Sequence, residues 1–204
     1  MQQLKLENGS NALVIVAHPD DETIWMGGTI ARQRNVRWTI FVLCRKSDFD
    51  RMPKFMRVAK QYGAQGIICD LEDEGLLNIQ ESIPAIQQIM RVELPPPTSG
   101  VWDVLFTHGA NGEYGHWRHK AVHLAVKQML KEEELKTKSA FFFAYMLDEE
   151  KKIAQPREHA SYGVKLSTAE WKAKRNVVKQ LYGFRPSSFE NRSCDRQETF
   201  TKMI

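Results

Sequence analysis

Apolar residues recur in short blocks, separated by stretches with helical spacing. Ala12–Ala17 (ALVIVA) is apolar at every position, as expected of a central strand covered on both faces of a parallel sheet. A charged turn and a predicted helix, about Thr23–Arg34, follow it. The second predicted strand is Arg37–Cys44. A helix near Pro53–Tyr62 comes next, with Pro53 suited to a first turn. Gly66–Asp70 reads as a third strand, and a helix near Ile83–Glu93 stops at Pro95-Pro96-Pro97, which cannot continue it. Trp102–Thr107 is the fourth strand. A Gly-rich loop, His108–Gly115, leads into a helix from about His119 to Glu133, and Phe141–Met146 is the fifth strand. Strands alternating with helices predict βαβ units. The fold class is therefore α/β, a Rossmann-like, mostly parallel sheet with helices on both faces.

Beyond that point the pattern weakens. Thr168–Tyr182 reads as an amphipathic helix with Thr168 as N-cap and Glu170 in its first turn. Leu147–Ser167 and Gly183–Ile204 carry no clear period, and wrap the sheet or close one side of a pocket. No stretch reads as a linker, so residues 1–204 form a single domain with a core of about 12–146 and a covering C-terminal part, 147–204.

Composition narrows the partners. Hydrophobic residues make up 42% and charged residues 26%, as in a soluble globular protein. No apolar run approaches the roughly 18–20 residues needed to span a membrane, and MQQLKLENGS has no apolar secretory core. Three scattered cysteines argue for a reducing, cytoplasmic compartment. The net charge of +4 comes from dispersed residues, which argues against nucleic acid and mildly favours an anionic small molecule.

Two segments concentrate ionisable groups. Ala17-His18-Pro19-Asp20-Asp21-Glu22 follows the first strand, and Gly112–His123 follows the fourth. In a sheet ordered 3-2-1-4-5 those strands are neighbours at the point where strand order reverses, the usual ligand crevice. Imidazoles and a carboxylate suit a catalytic zinc with three protein ligands and one open position. His18 and Asp21, three apart across a turn, can point at one ion, with His119 as the third ligand. Asp20 and His116 would then stand beside the metal, Asp20 as general base and His116 as acid or oxyanion stabiliser.

Plainer assignments compete with these. Asp20 or Asp21 can simply cap a helix, and Glu22 can serve the helix dipole. His119 and His123, four apart, can both bind metal, or His123 can be a hydrogen-bonded packing residue. His108 reads as structural, and Trp25 and Trp117 either pack against a helix or line the pocket.

The order AHPDDE (Ala17–Glu22) and then HxxH (His116–His119) resembles the PIG-L/LmbE-like N-acetylglucosaminyl deacetylases over about Leu13–Val126. The resemblance implies a zinc-dependent deacetylase with His18, Asp21 and His119 as ligands and Asp20 as base. It implies that His116 stabilises the tetrahedral intermediate or protonates the amine. It further implies Tyr114 as a carbonyl-polarising tyrosine, Arg51 as a substrate-contacting arginine and Asp73 as a carboxylate holding a sugar hydroxyl. Zinc is the expected metal and ferrous iron the second choice, since affinity order alone does not set metal use. The resemblance leaves homo-oligomer formation open.

Two positions depart from the family pattern. Arg118 stands where many members carry an aspartate, and Lys54 where many carry a glutamate. A guanidinium beside His116 would disfavour its imidazolium form, or could meet an anionic substrate. The expected activity is removal of an N-acyl group, acetyl first, from an amino sugar or similar small polar substrate. The departures motivate an alternative, an amidase acting on a non-sugar acylated amine or thiol conjugate. Arg118 also motivates a third, a non-catalytic ligand-binding member.

Overall fold

The computed structural model describes residues 1–97, 99–150 and 152–203. Its main sheet has eight strands in the order β1-β9-β10-β6-β5-β2-β3-β4. These are β1 Gln2–Gln3, β2 Asn11–Val16, β3 Arg37–Cys44, β4 Gln65–Leu71, β5 Val104–Thr107, β6 Ala140–Phe143, β9 Tyr162–Lys165 and β10 Gln197–Lys202. β7 (Tyr145–Leu147) and β8 (Ala154–Pro156) pair with each other in a separate antiparallel ribbon. The five strands from β4 to β6 are parallel and follow the expected 3-2-1-4-5 order, with the reversal between β2 and β5. β10 then joins β6 and β9 antiparallel.

Alternation along Ala12–Ala17 explains this wholly apolar stretch. Ala12, Val14 and Val16 enter one core with Ile24 and Ile30 of α1 (Asp21–Arg32) and Phe55 and Val58 of α2 (Arg51–Tyr62). Leu13, Ile15 and Ala17 enter the opposite core. There they meet Ile86 and Met90 of α3 (Ile79–Glu93), and Val122 and Val126 of a helix over Trp117–Lys131. Helices thus cover both faces. Each of the four large β2 side chains is fully buried, an apolar contribution of about 1.5–3 kcal/mol apiece.

Several expected boundaries shift. α3 starts at Ile79, not Ile83, because Asn78 and Glu81 form a reciprocal capping box and Pro84 is accommodated inside the helix. The expected fifth strand breaks at Ala144: β6 stays in the main sheet, while β7 leaves it for β8. The helix expected to be capped by Thr168 is capped by Ser167, whose hydroxyl accepts from the Glu170 N–H. That helix, α6 (Thr168–Asn176), continues as one π turn over Val177–Leu181.

The C-terminal part both extends the sheet and covers it. Glu198 of β10 accepts from the Gly28 and Thr29 amides at 2.8 and 2.7 Å and from Thr29 Oγ1 at 2.6 Å. It also pairs with Lys174 of α6 at 2.8 Å, both side chains fully buried. The last strand is thereby fastened to the helix that follows the first signature.

Candidate functional site

β2 ends at the base of a crevice, and the turn after it is strained. Asp20 has φ 111°, a left-handed conformation in a non-glycine residue that costs on the order of 1–3 kcal/mol. Neighbouring bonds hold it there. Its N–H donates to Glu22 Oε2 at 3.1 Å, and its carbonyl accepts from the Thr23 and Ile24 amides. Glu22 is fully buried and accepts from Thr23 Oγ1 and from the hydroxyl of Tyr182, at 2.6 and 2.7 Å. Burial pushes its carboxyl up to about 7, against those two bonds. Glu22 therefore lies in the first turn as expected, and it also fixes the peptide of Asp20.

Three donor atoms meet where β2 and β5 end. His18 Nδ1 lies 3.4 Å from Asp21 Oδ2. His119 Nε2 lies 3.3 Å from the same oxygen and 3.4 Å from His18 Nδ1. Ligands about 2.0–2.1 Å from a tetrahedral ion stand about 3.3–3.4 Å apart, so this nearly equilateral triangle has the edge lengths of one face of a zinc site. His18, Asp21 and His119 could hold such an ion. The sets His18, His116, His119 and Asp21, His108, His119 also bring donors close enough to share one.

Outer partners orient the three. Asp21 Oδ2 accepts the His18 amide at 2.9 Å, and Oδ1 accepts the indole N–H of Trp25. Burial would raise the Asp21 carboxyl, but the imidazoles of His119 and His108 outweigh it and hold it well below the usual range. His18 Nε2 lies 3.1 Å from Asp73 Oδ1. His119 Nδ1 lies 2.6 Å from Glu113 Oε2. Burial would lower the His119 pKa, but Asp21 and Glu113 push it up to about 10, so the surrounding charges favour a cation here.

Asp20 is almost completely buried. Burial and the neighbouring Asp21 raise its carboxyl well above the usual range, against the Arg51 guanidinium 3.1 Å from its Oδ2. His116 caps α5 (Trp117–Lys131), its Nδ1 accepting from the Arg118 N–H at 3.2 Å. The neutral ring therefore carries its proton on Nε2. Burial and the nearby His119 and His18 hold His116 down to about 3.

The crevice encloses about 320 Å³. His18, Asp20, Asp21, Arg51, Asp73, Tyr114 and His116 all line it, whereas His119 lies fully buried behind them. Tyr114, in the short helical turn α4 (Gly112–Gly115), sets its ring edge-on to His116, His119 and Phe189. Asp73 faces the crevice, with one oxygen toward His18 and the other 2.7 Å from Arg45. His123 stands outside the triangle, bonded to the His108 carbonyl at 2.9 Å and packed on Phe142.

Both departures from the family pattern lie off the crevice. Arg118 is fully buried and bonds Ser82 Oγ at 2.7 Å, Glu72 Oε2 at 3.1 Å and the Glu72 carbonyl, while stacking on Trp117. It cannot meet a substrate anion. Its charge is turned toward Glu72 and Asp73, so it is not what depresses His116. Lys54 pairs with Asp50 at 2.6 Å.

Several participants carry no signal in the sequence. Glu113 lies inside the second segment, where nothing in the residue pattern sets it apart, and it bonds His119. Trp25 is more than packing, because its indole N–H orients Asp21. Phe189 and Glu190 of α7 (Phe189–Ser193) line the crevice from the C-terminal part, a segment with no periodic signal.

A mostly parallel α/β sheet with a histidine–carboxylate cluster at its reversal point defines a Rossmann-like protein with its ligand crevice at the switch point. The GlcNAc-PI de-N-acetylase (PIG-L) profile matches residues 13–130, more than half of the chain, and the protein belongs to that de-N-acetylase family. The fold resembles the crystal structure of the A40926 pseudoaglycone deacetylase Dbv21, with a TM-score of 0.58 and 15% identity over 89% of this chain and 88% of that one. No curated protein matches the sequence. No helix among the described residues is long and apolar enough to cross a membrane.

Proposed function

We propose that the crevice hydrolyses an N-acyl amide, acetyl first, on an amino sugar or a similarly small polar amine, with a divalent ion held by His18, Asp21 and His119. The donor triangle, with edges of 3.3–3.4 Å, carries this reading. Zinc fits that donor set best and ferrous iron is the second choice. When bound, the ion supplies Lewis acidity and makes water acidic enough to be deprotonated near neutral pH.

The chain's own groups divide the remaining work. Asp20 takes a proton from the attacking water; the Arg51 guanidinium favours the carboxylate form this needs, against burial and Asp21, which raise the Asp20 pKa. His116 offers its Nε2–H to the carbonyl oxygen as negative charge gathers there, which the neutral ring can do because its Nδ1 accepts from the Arg118 N–H. Tyr114 closes the same side. When the carbon–nitrogen bond breaks, the proton on Asp20 passes to the leaving amine. The amide and one water thereby become a carboxylic acid and a free amine.

An amino sugar is favoured by family membership, by the pseudoaglycone deacetylase named for the similar fold, and by a polar cavity near the lower end of the roughly 300–1,000 Å³ range of small-ligand sites. The non-sugar amide and the non-catalytic readings drew on Arg118 and Lys54, neither of which lines the crevice. The test is acetate release from N-acetylated amino sugars by zinc-loaded protein. Activity should vanish with a chelator and return with metal. Turnover that survives complete metal removal sinks the proposal.

A further inference from the structure

The reaction above makes no use of Glu113, yet this residue is fully buried and bonded by three groups. Its Oε2 lies 2.7 Å from His108 Nδ1 and 2.6 Å from His119 Nδ1, and its Oε1 accepts the Gly109 N–H at 2.7 Å. The backbone is shaped to bring it there. Glu113 has φ 55°, Gly112 before it has φ 64°, and a side chain at Gly109 would abut the Phe143 carbonyl.

We propose that Glu113, acting with His108, is a positioning residue that fixes the tautomer and plane of His119 so that Nε2 alone is offered to the ion. This rests on the metal reading above. His108 Nε2 accepts the Ala17 N–H at 3.0 Å, so the neutral His108 ring carries its proton on Nδ1 and gives it to Glu113. An ionised carboxylate only accepts, so His119 must also be protonated at Nδ1, which leaves the Nε2 lone pair facing Asp21 and His18. The His108 ring lies over the His119 ring, centroids 3.8 Å apart and planes 20° apart, and holds its tilt. The Ala17 amide that orients His108 belongs to the first signature. One carboxylate thus links the strand end bearing His18 to the helix bearing His119. Carboxylate partners of this kind raise ligand basicity, and their loss typically weakens metal binding by about 10–100-fold.

Glu113→Gln is nearly isosteric but removes the charge and cannot accept from all three donors, since its amide nitrogen must face either the two ring N–H groups or the Gly109 N–H. Zinc affinity of the variant, measured by chelator competition, should fall by about 10–100-fold, while its secondary structure by circular dichroism stays that of the parent. Unchanged affinity, with only the unfolding temperature lowered, would mean that Glu113 merely packs the loop, and would overturn the proposal. The zinc-loaded unaltered protein gives a second readout that does not depend on the variant folding. Long-range ¹H–¹⁵N spectra should show the His119 proton on Nδ1, protected from exchange, with Nε2 on the metal. Coordination through Nδ1, or free exchange of that proton, refutes it. Tight zinc binding without hydrolysis of any acylated amine would reject the proposed function and leave the role of Glu113 standing. Failure of the unaltered chain to bind zinc would reject both.

Discussion

The indole of Trp25 donates its N–H to Oδ1 of Asp21 at 2.9 Å. One turn of α1 separates the two residues, and the bond settles which carboxylate oxygen is left for His18 and His119. Trp25 itself is fully buried, its ring 4.9 Å from that of Tyr145, whose hydroxyl donates to the Trp25 carbonyl at 2.7 Å. The aromatic core and the donor triangle are therefore mechanically joined. Trp25→Phe keeps an aromatic ring and removes the donor. Zinc affinity should fall by about tenfold, at the low end for loss of an outer partner. Equal affinity in a competition titration would remove Trp25 from the site.

Asp20→Asn leaves the shape of the turn and removes the proton acceptor. kcat should drop by about 10²–10⁴-fold while bound zinc stays stoichiometric. Loss of zinc together with activity would instead point to Asp20 as a ligand. The metal content of the purified variant separates the two.

The buried pair Lys174–Glu198 gives a stability prediction. Removing one partner of such a pair costs about 3–5 kcal/mol. Lys174→Met should fall near the lower figure, because Glu198 keeps its bonds to Gly28 and Thr29. At about 2–4 °C per kcal/mol for a chain of this size, Tm should fall by roughly 6–12 °C. A scanning calorimetry shift under about 2 °C contradicts this.

Glu170 makes two bonds to Arg32, at 2.7 and 2.6 Å. That guanidinium, against a smaller effect of burial, holds the Glu170 carboxyl down to about 2. A carboxyl depressed on folding contributes stability above its unfolded pKa and loses it as pH falls through the folded one. The contribution should be complete above about pH 5 and fade between there and pH 2. Both side chains are about one-third exposed, so solvent screening limits it to about 1 kcal/mol or less. Urea midpoints of the parent and Glu170→Gln should differ at pH 7 and converge near pH 2.5. A gap that widens on acidification reverses the sign and refutes the assignment.

The fold was legible wherever burial imposed a period. Ala12–Ala17 announced a strand with two covered faces, and β2 has them. The donor set was legible because its residue types cluster in two short segments at strand ends. Glu113 was hidden because its partners, His108 and His119, come together only through a left-handed backbone that sequence does not display. Tyr182, Phe189 and Glu190 were hidden for another reason. Phe189 and Glu190 reach the crevice from more than 150 residues beyond the first signature, in a stretch with neither helical nor strand spacing, and Tyr182, at the end of the expected helix, reaches the buried Glu22 behind it. Arg118 is not legible because residue type alone does not reveal direction: its long side chain turns to Glu72 and Ser82 and does not line the crevice.

The bond from Tyr182 to Glu22, and the grip of Glu198 on Gly28 and Thr29, impose an order of assembly. A chain still emerging from the ribosome can complete both histidine segments long before β10 exists. Until Tyr182 reaches Glu22, nothing from the C-terminal part braces the strained turn carrying Asp20, and until β10 docks, α1 lacks its bonds at Gly28 and Thr29. The crevice should thus be fully braced only after residues 182–202 have docked on α1, well after both histidine segments have formed.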